Sequence, residues 1–274
     1  MHFLFTKMTG AGNDFIVIDD RKERISNPPK LVIKLCDRRW GIGADGLILI
    51  RKSKRAAYEM MYYNADGSYG GMCGNGGRCI AHFTIANRIA GKKHFFEALG
   101  YLYEAKKLSG SMMQLKMKNP DKIKLNSSID INGKTVPYHY IDTGAPHVVI
   151  EADALDQELK NIDVHKLGAF IRYHKKFQPS GTNVNFVKKI GQHTIQIRTY
   201  ERGVEAETLA CGTGSIASAI ISSFVMKTKS PVTVKVQSNA ALKVDFRKEA
   251  EKVDNVRLTG PAKIVFTGTV NVSI

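Results

Sequence analysis

The stretch NADGSYGGMCGNGGRC, running from Asn64 to Cys79, decides how the chain is organised. Its centre, Cys73-Gly74-Asn75-Gly76, returns 138 residues later as Cys211-Gly212-Thr213-Gly214. At the same offset Tyr62 falls on Tyr200, Gly43 on Gly181, and residues 47–50 (LILI) on 185–188 (NFVK). At an offset of 132, residues 12–18 (GNDFIVI) resemble 144–150 (GAPHVVI). One order of elements used twice predicts two similar halves.

Around this pattern each half reads as strands about a helix. In the first, 3–8 and 15–19 are strand-like, and Ser26-Asn27-Pro28-Pro29 opens a helix near 30–38 with Leu31, Leu35 and Cys36 at helical spacing. Strands return at 47–50 and 58–63. A helix is expected near 78–90, with Ile80, Phe83, Ala86 and Ile89 on one side and a stop at Gly91. Strands follow at 101–106 and 112–118. The second half repeats the plan with strands at 135–141, 147–150, 184–188 and 194–200. Asp163 caps a helix carrying Val164, Leu167, Phe170 and Ile171, and another helix begins near Thr213 with Ile216, Ala219, Ile220 and Phe224. Strands at 232–236, 242–246 and 253–258 complete it. Asn119-Pro120-Asp121 and Asn132-Gly133 are turn signals that mark 119–133 as the linker. The fold class is therefore α/β (α+β), with two pseudo-symmetric β-rich domains, 1–118 and 119–258, each wrapped around a central helix.

Composition excludes several function classes. The 274 residues carry 41 Lys+Arg against 25 Asp+Glu, a formal net charge of +16, and 43% hydrophobic residues, as in globular proteins. The basic residues come in ones and twos, as at Lys92-Lys93 and Lys188-Lys189. Without a basic block, zinc-finger spacing or ribonucleoprotein-type aromatic motif, a solvated basic surface is expected rather than a nucleic-acid partner. No stretch nears the ~20 apolar residues of a membrane span. Four cysteines rule out a disulfide-stapled scaffold, and the start lacks a secretory pattern, so a reducing, cytoplasmic location is expected.

Two apparent motifs carry no function. Gly41-Ile42-Gly43-Ala44-Asp45-Gly46 satisfies G-x-G-x-x-G, but it follows a helix and opens a strand, the reverse of the dinucleotide fingerprint. Cys73 and Cys79 have no zinc-ligand spacing, so no metal is expected. Cys36 and Cys79 fall on apolar helix faces and read as small buried hydrophobes.

Cys73 and Cys211 are different. Each precedes a helix and is followed by glycines that let a ligand approach the backbone closely. A helix N-terminus stabilises anions and lowers a thiol pKa from its free value of about 8.5. Two thiols on opposite faces of one carbon suit the inversion of a stereocentre, one removing a proton and the other supplying one. Backbone N–H groups of Gly74-Asn75 and Gly212-Thr213 would hold the carboxylate on which charge develops.

The chain resembles the diaminopimelate epimerases along essentially its whole length. The most specific stretches are TGAGNDF (Thr9 to Phe15), the Asn64–Cys79 segment, GAPHVV, SGTNVNFV, and YERGVEAETLACGTGS (Tyr200 to Ser215). The resemblance implies a cofactor-independent enzyme that interconverts LL- and meso-diaminopimelate in lysine and peptidoglycan precursor synthesis. It also implies an active site in the interdomain cleft, and last strands (259–274) that return to the first domain. It implies Cys73 and Cys211 as the base and acid pair, and His147 and Glu201 as assisting residues. Asn13, Asn64, Gly74, Asn75, Asn183, Glu201, Arg202, Gly212 and Thr213 are implied as substrate contacts. Gly46 stands where many members carry Gln, and Ala145 where many carry Asn. The segment between Arg202 and Cys211 is one residue longer than in many members. A proline or hydroxyproline-type racemase of similar fold is the nearest rival, but it usually carries His where this chain has Asn75. From another class, a basic nucleic-acid-binding protein would account for the charge but not for the cysteine symmetry. The oligomeric state stays open, a homodimer included.

Overall fold

In the computed structural model, which describes residues 2–272, alternating apolar residues become the buried faces of strands. The elements in chain order begin with β1 (His2–Gly10), β2 (Asn13–Asp19), α1 (Pro28–Cys36), β3 (Gly46–Arg51), β4 (Glu59–Asn64) and β5 (Tyr69–Gly71). Next come α2 (Gly74–Ala86), β6 (Lys93–Ala98), β7 (Tyr101–Lys107), β8 (Met112–Lys116), β9 (Asp121–Ile131), β10 (Lys134–Asp142) and β11 (Pro146–Glu151). The chain continues through α3 (Val164–Arg172), β12 (Asn183–Gly191), β13 (Thr194–Glu201), β14 (Ala206–Thr208) and α4 (Gly212–Val225). It ends with β15 (Val232–Lys235), β16 (Ala241–Glu249), β17 (Lys252–Pro261) and β18 (Lys263–Asn271). The fold is a β-rich α+β one. Two compact units divide the chain, Met1–Lys116 with Thr259–Ile274, and Met117–Leu258. Residues 273 and 274 of the expected returning strands lie outside the described residues.

The pairing scheme is the same in both units. In the first, β1 pairs antiparallel with β2, β2 parallel with β3, β3 antiparallel with β4, β4 parallel with β6, and β6 antiparallel with β7. In the second, β10, β11, β12, β13, β15 and β16 repeat that succession of antiparallel and parallel partners. The outer neighbour of β1 is β18, and that of β10 is β9. In each unit a three-residue strand, β5 or β14, folds back just before the long helix.

Three expectations are corrected. The segment 119–133 is not a linker: β9 occupies most of it and pairs along β10, while Asn132 (φ 54°) and Gly133 (φ 80°) form a two-residue hairpin turn. The turn signal was real, but it joins two strands rather than two domains. Helix α2 starts at Gly74 and not near Arg78, because packing overrides the poor helix propensity of Gly-Asn-Gly-Gly. It ends at Asn87, whose N–H returns to Phe83 O, and Arg88 at φ 58° turns the chain before Ile89. Finally β6, unanticipated as a strand, buries His94, Phe96 and Ala98, with Phe96 stacked on Tyr58 at 5.5 Å between ring centroids.

Asp163 caps α3 by accepting from Lys166 N at 3.0 Å, and Gly168 brings that helix against β13. A Cβ on Gly168 would lie 2.4 Å from Tyr200 Cβ. An alanine in a helix gains about 1 kcal/mol over glycine, but overpacking costs about 1–3 kcal/mol. Gly168→Ala is therefore expected to lower the unfolding free energy by up to about 2 kcal/mol in a urea titration. A gain in stability would contradict the close approach of α3 to β13.

Candidate functional site

In the first unit Cys73 is the N-cap of α2, with extended backbone and its Sγ accepting from Gly76 N at 3.5 Å. The glycines after it are required by contact. A Cβ on Gly76 would meet Ile48 and Met60, and one on Gly77 would come within 2.9 Å of Met72 and Leu115 side chains. Beneath this turn lies Arg78, the largest fully buried side chain. Its Nη2 donates to Asn75 Oδ1 at 2.7 Å and its Nη1 to Gly74 O at 3.2 Å. A guanidinium only donates, so the Asn75 amide is oriented with Nδ2 outward, where it donates to Asn13 Oδ1 at 2.5 Å. Asn13 Nδ2 then donates to Asp45 Oδ2 at 2.9 Å. The line thus runs from a buried cation through two amides to a carboxylate, and each amide has one possible orientation. Asn64, opposite Gly46 at the end of β4, donates to Ser68 Oγ at 3.0 Å.

The second unit repeats the helix start. Cys211 N-caps α4, accepting from Gly214 N at 3.4 Å, with Thr213 Oγ1 also 3.4 Å from its sulfur. Thr143 Oγ1 donates to Thr213 O at 3.3 Å. Asn183 joins three segments: its Nδ2 donates to Pro146 O, and its Oδ1 accepts from Arg202 N, both at 2.9 Å. Arg202 Nη1 donates to Ser180 O at 3.0 Å, and Glu201 Oε2 accepts from Thr208 Oγ1 at 2.9 Å. His147 pairs in register with Asn183, and burial, then the charge of Arg202, pushes its imidazole down to about 3. Its Nδ1 meets Asn185 Nδ2 at 3.1 Å.

Within the first unit the structure therefore brings together Asn13, Cys73, Gly74 and Asn75, with Asn64 at the matching end of the neighbouring strands. Within the second it gathers His147, Asn183, Glu201 and Arg202 at one end of the sheet, and Cys211, Gly212 and Thr213 at the start of α4. Arg78 and Asn185 escaped the sequence reading. The signal for Arg78 was its place four residues after Gly74, which puts it one helical turn beneath the glycines. Asn185 lies two residues after Asn183 and so on the same face of its strand.

The other two thiols lie in the core. Burial pushes both Cys36 and Cys79 up to about 12. The Gly41–Gly46 stretch closes the end of α1, with Ile42 N and Gly43 N donating to Leu35 O at 2.9 and 3.0 Å. Its glycines are accounted for by a Cβ on Gly41 that would lie 2.3 Å from Lys34 O and by the positive φ of 78° at Gly43. At Gly46 a Cβ would lie 2.4 Å from Tyr63 O and 2.6 Å from the Tyr62 ring, so no larger residue fits this arrangement. Among the described residues no group of three or more His, Cys, Asp or Glu side chains is placed to hold a metal, and no helix is long and apolar enough to cross a membrane.

Comparison with known proteins decides the family. The model of the diaminopimelate epimerase family matches residues 5–100 and 139–265. The chain belongs to the diaminopimelate epimerase family. A family member from Chlorobaculum tepidum is 44% identical over 266 residues, covering 96% of this chain and 99% of that protein. One from Aquifex aeolicus is 40% identical over 276 residues, covering 96% of each. As a family member the protein is an isomerase, an epimerase. Solved structures extend the fold further. A phenazine biosynthesis protein from Bacillus anthracis superposes with a TM-score of 0.75 at 14% identity, over 99% of this chain and 100% of that one. A hydroxyproline epimerase from Agrobacterium vitis gives 0.73 at 12% identity, over 98% and 92%.

The epimerase's amide line ends in an ion-pair group that makes a pH test. Burial would raise the Asp14 carboxyl. Hydrogen bonds from Arg38 and Lys7, with the Lys7 charge, outweigh that and hold it at about 2 instead of 3.8. The folded pKa is depressed, so this stabilisation is complete above the unfolded value and is lost as pH falls from about 4 towards 2. After allowance for partial exposure, Asp14 contributes on the order of 1–2 kcal/mol. Asp14→Asn is expected to flatten the acid limb of the stability–pH curve over that interval. An unchanged limb would show that Asp14 is not held by Arg38 and Lys7.

Proposed function

We propose that this epimerase interconverts LL- and meso-2,6-diaminopimelate by proton transfer at the α-carbon, without cofactor or metal, in lysine and peptidoglycan precursor synthesis. The observation that carries this reading is the pair of cysteines, each capping a helix that begins with alternating glycines. In one direction a thiolate takes the α-proton, leaving the electron pair delocalised into the carboxylate. The opposite thiol then delivers its proton to the other face, so each turnover leaves the two sulfurs with exchanged protonation states. An α-proton of an amino acid is very weakly acidic. The N–H groups of Gly74-Asn75 and Gly212-Thr213 supply fixed dipoles to the charge that develops, at no cost of reorganisation. Arg202 and Glu201 bind carboxylate and ammonium, and Asn13, Asn64 and Asn183 pair with the remaining polar atoms. His147 assists. The relatives' printed names support the substrate.

The test is incubation with LL-diaminopimelate in deuterated water under reducing conditions. Meso product with deuterium at the inverted α-carbon is expected. Cys73→Ser and Cys211→Ser keep a good N-cap but replace the thiol with a far weaker acid. Each is expected to lower kcat/KM by about 10²–10⁴-fold or more. Full inversion by either variant would exclude a two-thiol mechanism.

A further inference from the structure

The two units differ at one buried point of matching register. In the first, β2 and β3 set Phe15 opposite Gly46, and Ile48 stands opposite Tyr62. In the second, β11 and β12 set His147 opposite Asn183, and Asn185 stands opposite Thr199. This register matches Ile48 with Asn185 and Tyr62 with Thr199, an offset of 137, and so corrects the expected match of Tyr62 with Tyr200 at the offset of 138 that aligns the cysteines. The helix start rests on the same position in each: a Cβ on Gly76 would lie 3.1 Å from Ile48 Cδ1, and one on Gly214 would lie 2.4 Å from Asn185 Oδ1. Phe15 and Ile48 are buried and apolar, whereas His147 and Asn185 are fully buried and polar. The first unit thus shows that this framework closes with apolar side chains. The polar pair is not demanded by the fold, and buried polar groups without a structural need mark function.

The pair is wired in a single sense. Asn185 Nδ2 lies 2.9 Å from Val148 O, and a carbonyl only accepts, so the amide orientation is settled. Its Oδ1 accepts from Thr199 Oγ1 at 3.0 Å. The second hydrogen of Nδ2 is directed to His147 Nδ1 at 3.1 Å, which must accept it. The imidazole hydrogen is therefore on Nε2. That nitrogen is buried and has no hydrogen-bond partner among the described residues. The nearby Arg202 charge and the α4 N-terminus that begins beside Asn185 make the surroundings favourable to an anion.

We propose that Asn185 is a positioning residue that holds His147 as the neutral Nε2–H tautomer, so that the imidazole donates a hydrogen bond to a substrate carboxylate instead of accepting a proton. This rests on the proposed reaction. An ammonium group has no lone pair to accept from Nε2–H, so of the charged groups of a zwitterionic amino acid the carboxylate is the complementary partner. Without the Asn185 amide the ring is free to take the other tautomer, which would turn a lone pair towards the carboxylate.

Nitrogen-15 NMR of the full-length, reduced, histidine-labelled protein reads this directly, with His147 assigned by its loss in His147→Gln. Near neutral pH the wild type is expected to show unprotonated Nδ1 and protonated Nε2, and LL-diaminopimelate is expected to shift Nε2. In Asn185→Asp the carboxylate accepts from Nδ1–H, moving the hydrogen, and kcat/KM is expected to fall about 10–100-fold. Asn185→Ile installs the residue found at the matching position of the first unit. It should fold, populate both tautomers and lose activity to a similar degree. A wild-type ring protonated on Nδ1 would overturn the proposal, as would a tautomer shift in Asn185→Asp with unchanged kcat/KM. Ligand-induced shifts elsewhere but none at His147 Nε2 would overturn it as well. If diaminopimelate shifts no resonance, the proposed reaction fails on its own, while the tautomer measurement still decides the part played by Asn185.

Discussion

A helix can begin flush against a β-sheet only if the positions of its first turn that face the sheet carry no side chains, and both long helices of this protein meet that steric demand with glycine. Gly76 and Gly77 in α2, and Gly214 in α4, sit where any Cβ would press on the sheet or on neighbouring side chains. The close seating buries the glycines of each helix start away from bulk water, where the helix dipole acts strongly. It also leaves the N-cap to a short side chain. Cysteine fills that place twice, and in each case its sulfur accepts from the N–H three residues on.

The two helix starts are supported by different chemistry. Beneath α2 a fully buried arginine runs through Asn75 and Asn13 to Asp45, a line whose polarity is set by a cation at one end and a carboxylate at the other. Asp45 in turn accepts from Arg38, which also holds Asp14. Beside α4 the support is uncharged, an amide that joins Val148, Thr199 and His147. The same backbone scheme therefore presents its helix dipole in two electrostatic settings.

Much of this was legible in the residues. Asn27-Pro28-Pro29 and Asp163 announced α1 and α3, because caps and an early proline act locally. The repeated Cys-Gly-x-Gly announced equivalent helix starts. Where the reading failed, a local signal was ambiguous or was overruled. Asn132-Gly133 is equally good chemistry for a hairpin and for a linker boundary, and only the partner strand β10 separates the two. The glycine run before Arg78 argues against a helix until Ile48, Met60 and Leu115 are seen to need that close approach.

By itself the sequence determined the duplicated plan, the helix caps and the placing of two thiols at helix starts, since all of these follow from side-chain size, period and capping within a few residues. Only the tertiary structure decided that Arg78 orients Asn75 and Asn13, that Gly46 is excluded from carrying a side chain by Tyr62, and that Asn185 faces His147. Those relations join residues on different strands and helices. Whether a hydrogen bond forms between them depends on strand register and burial, which no local pattern encodes.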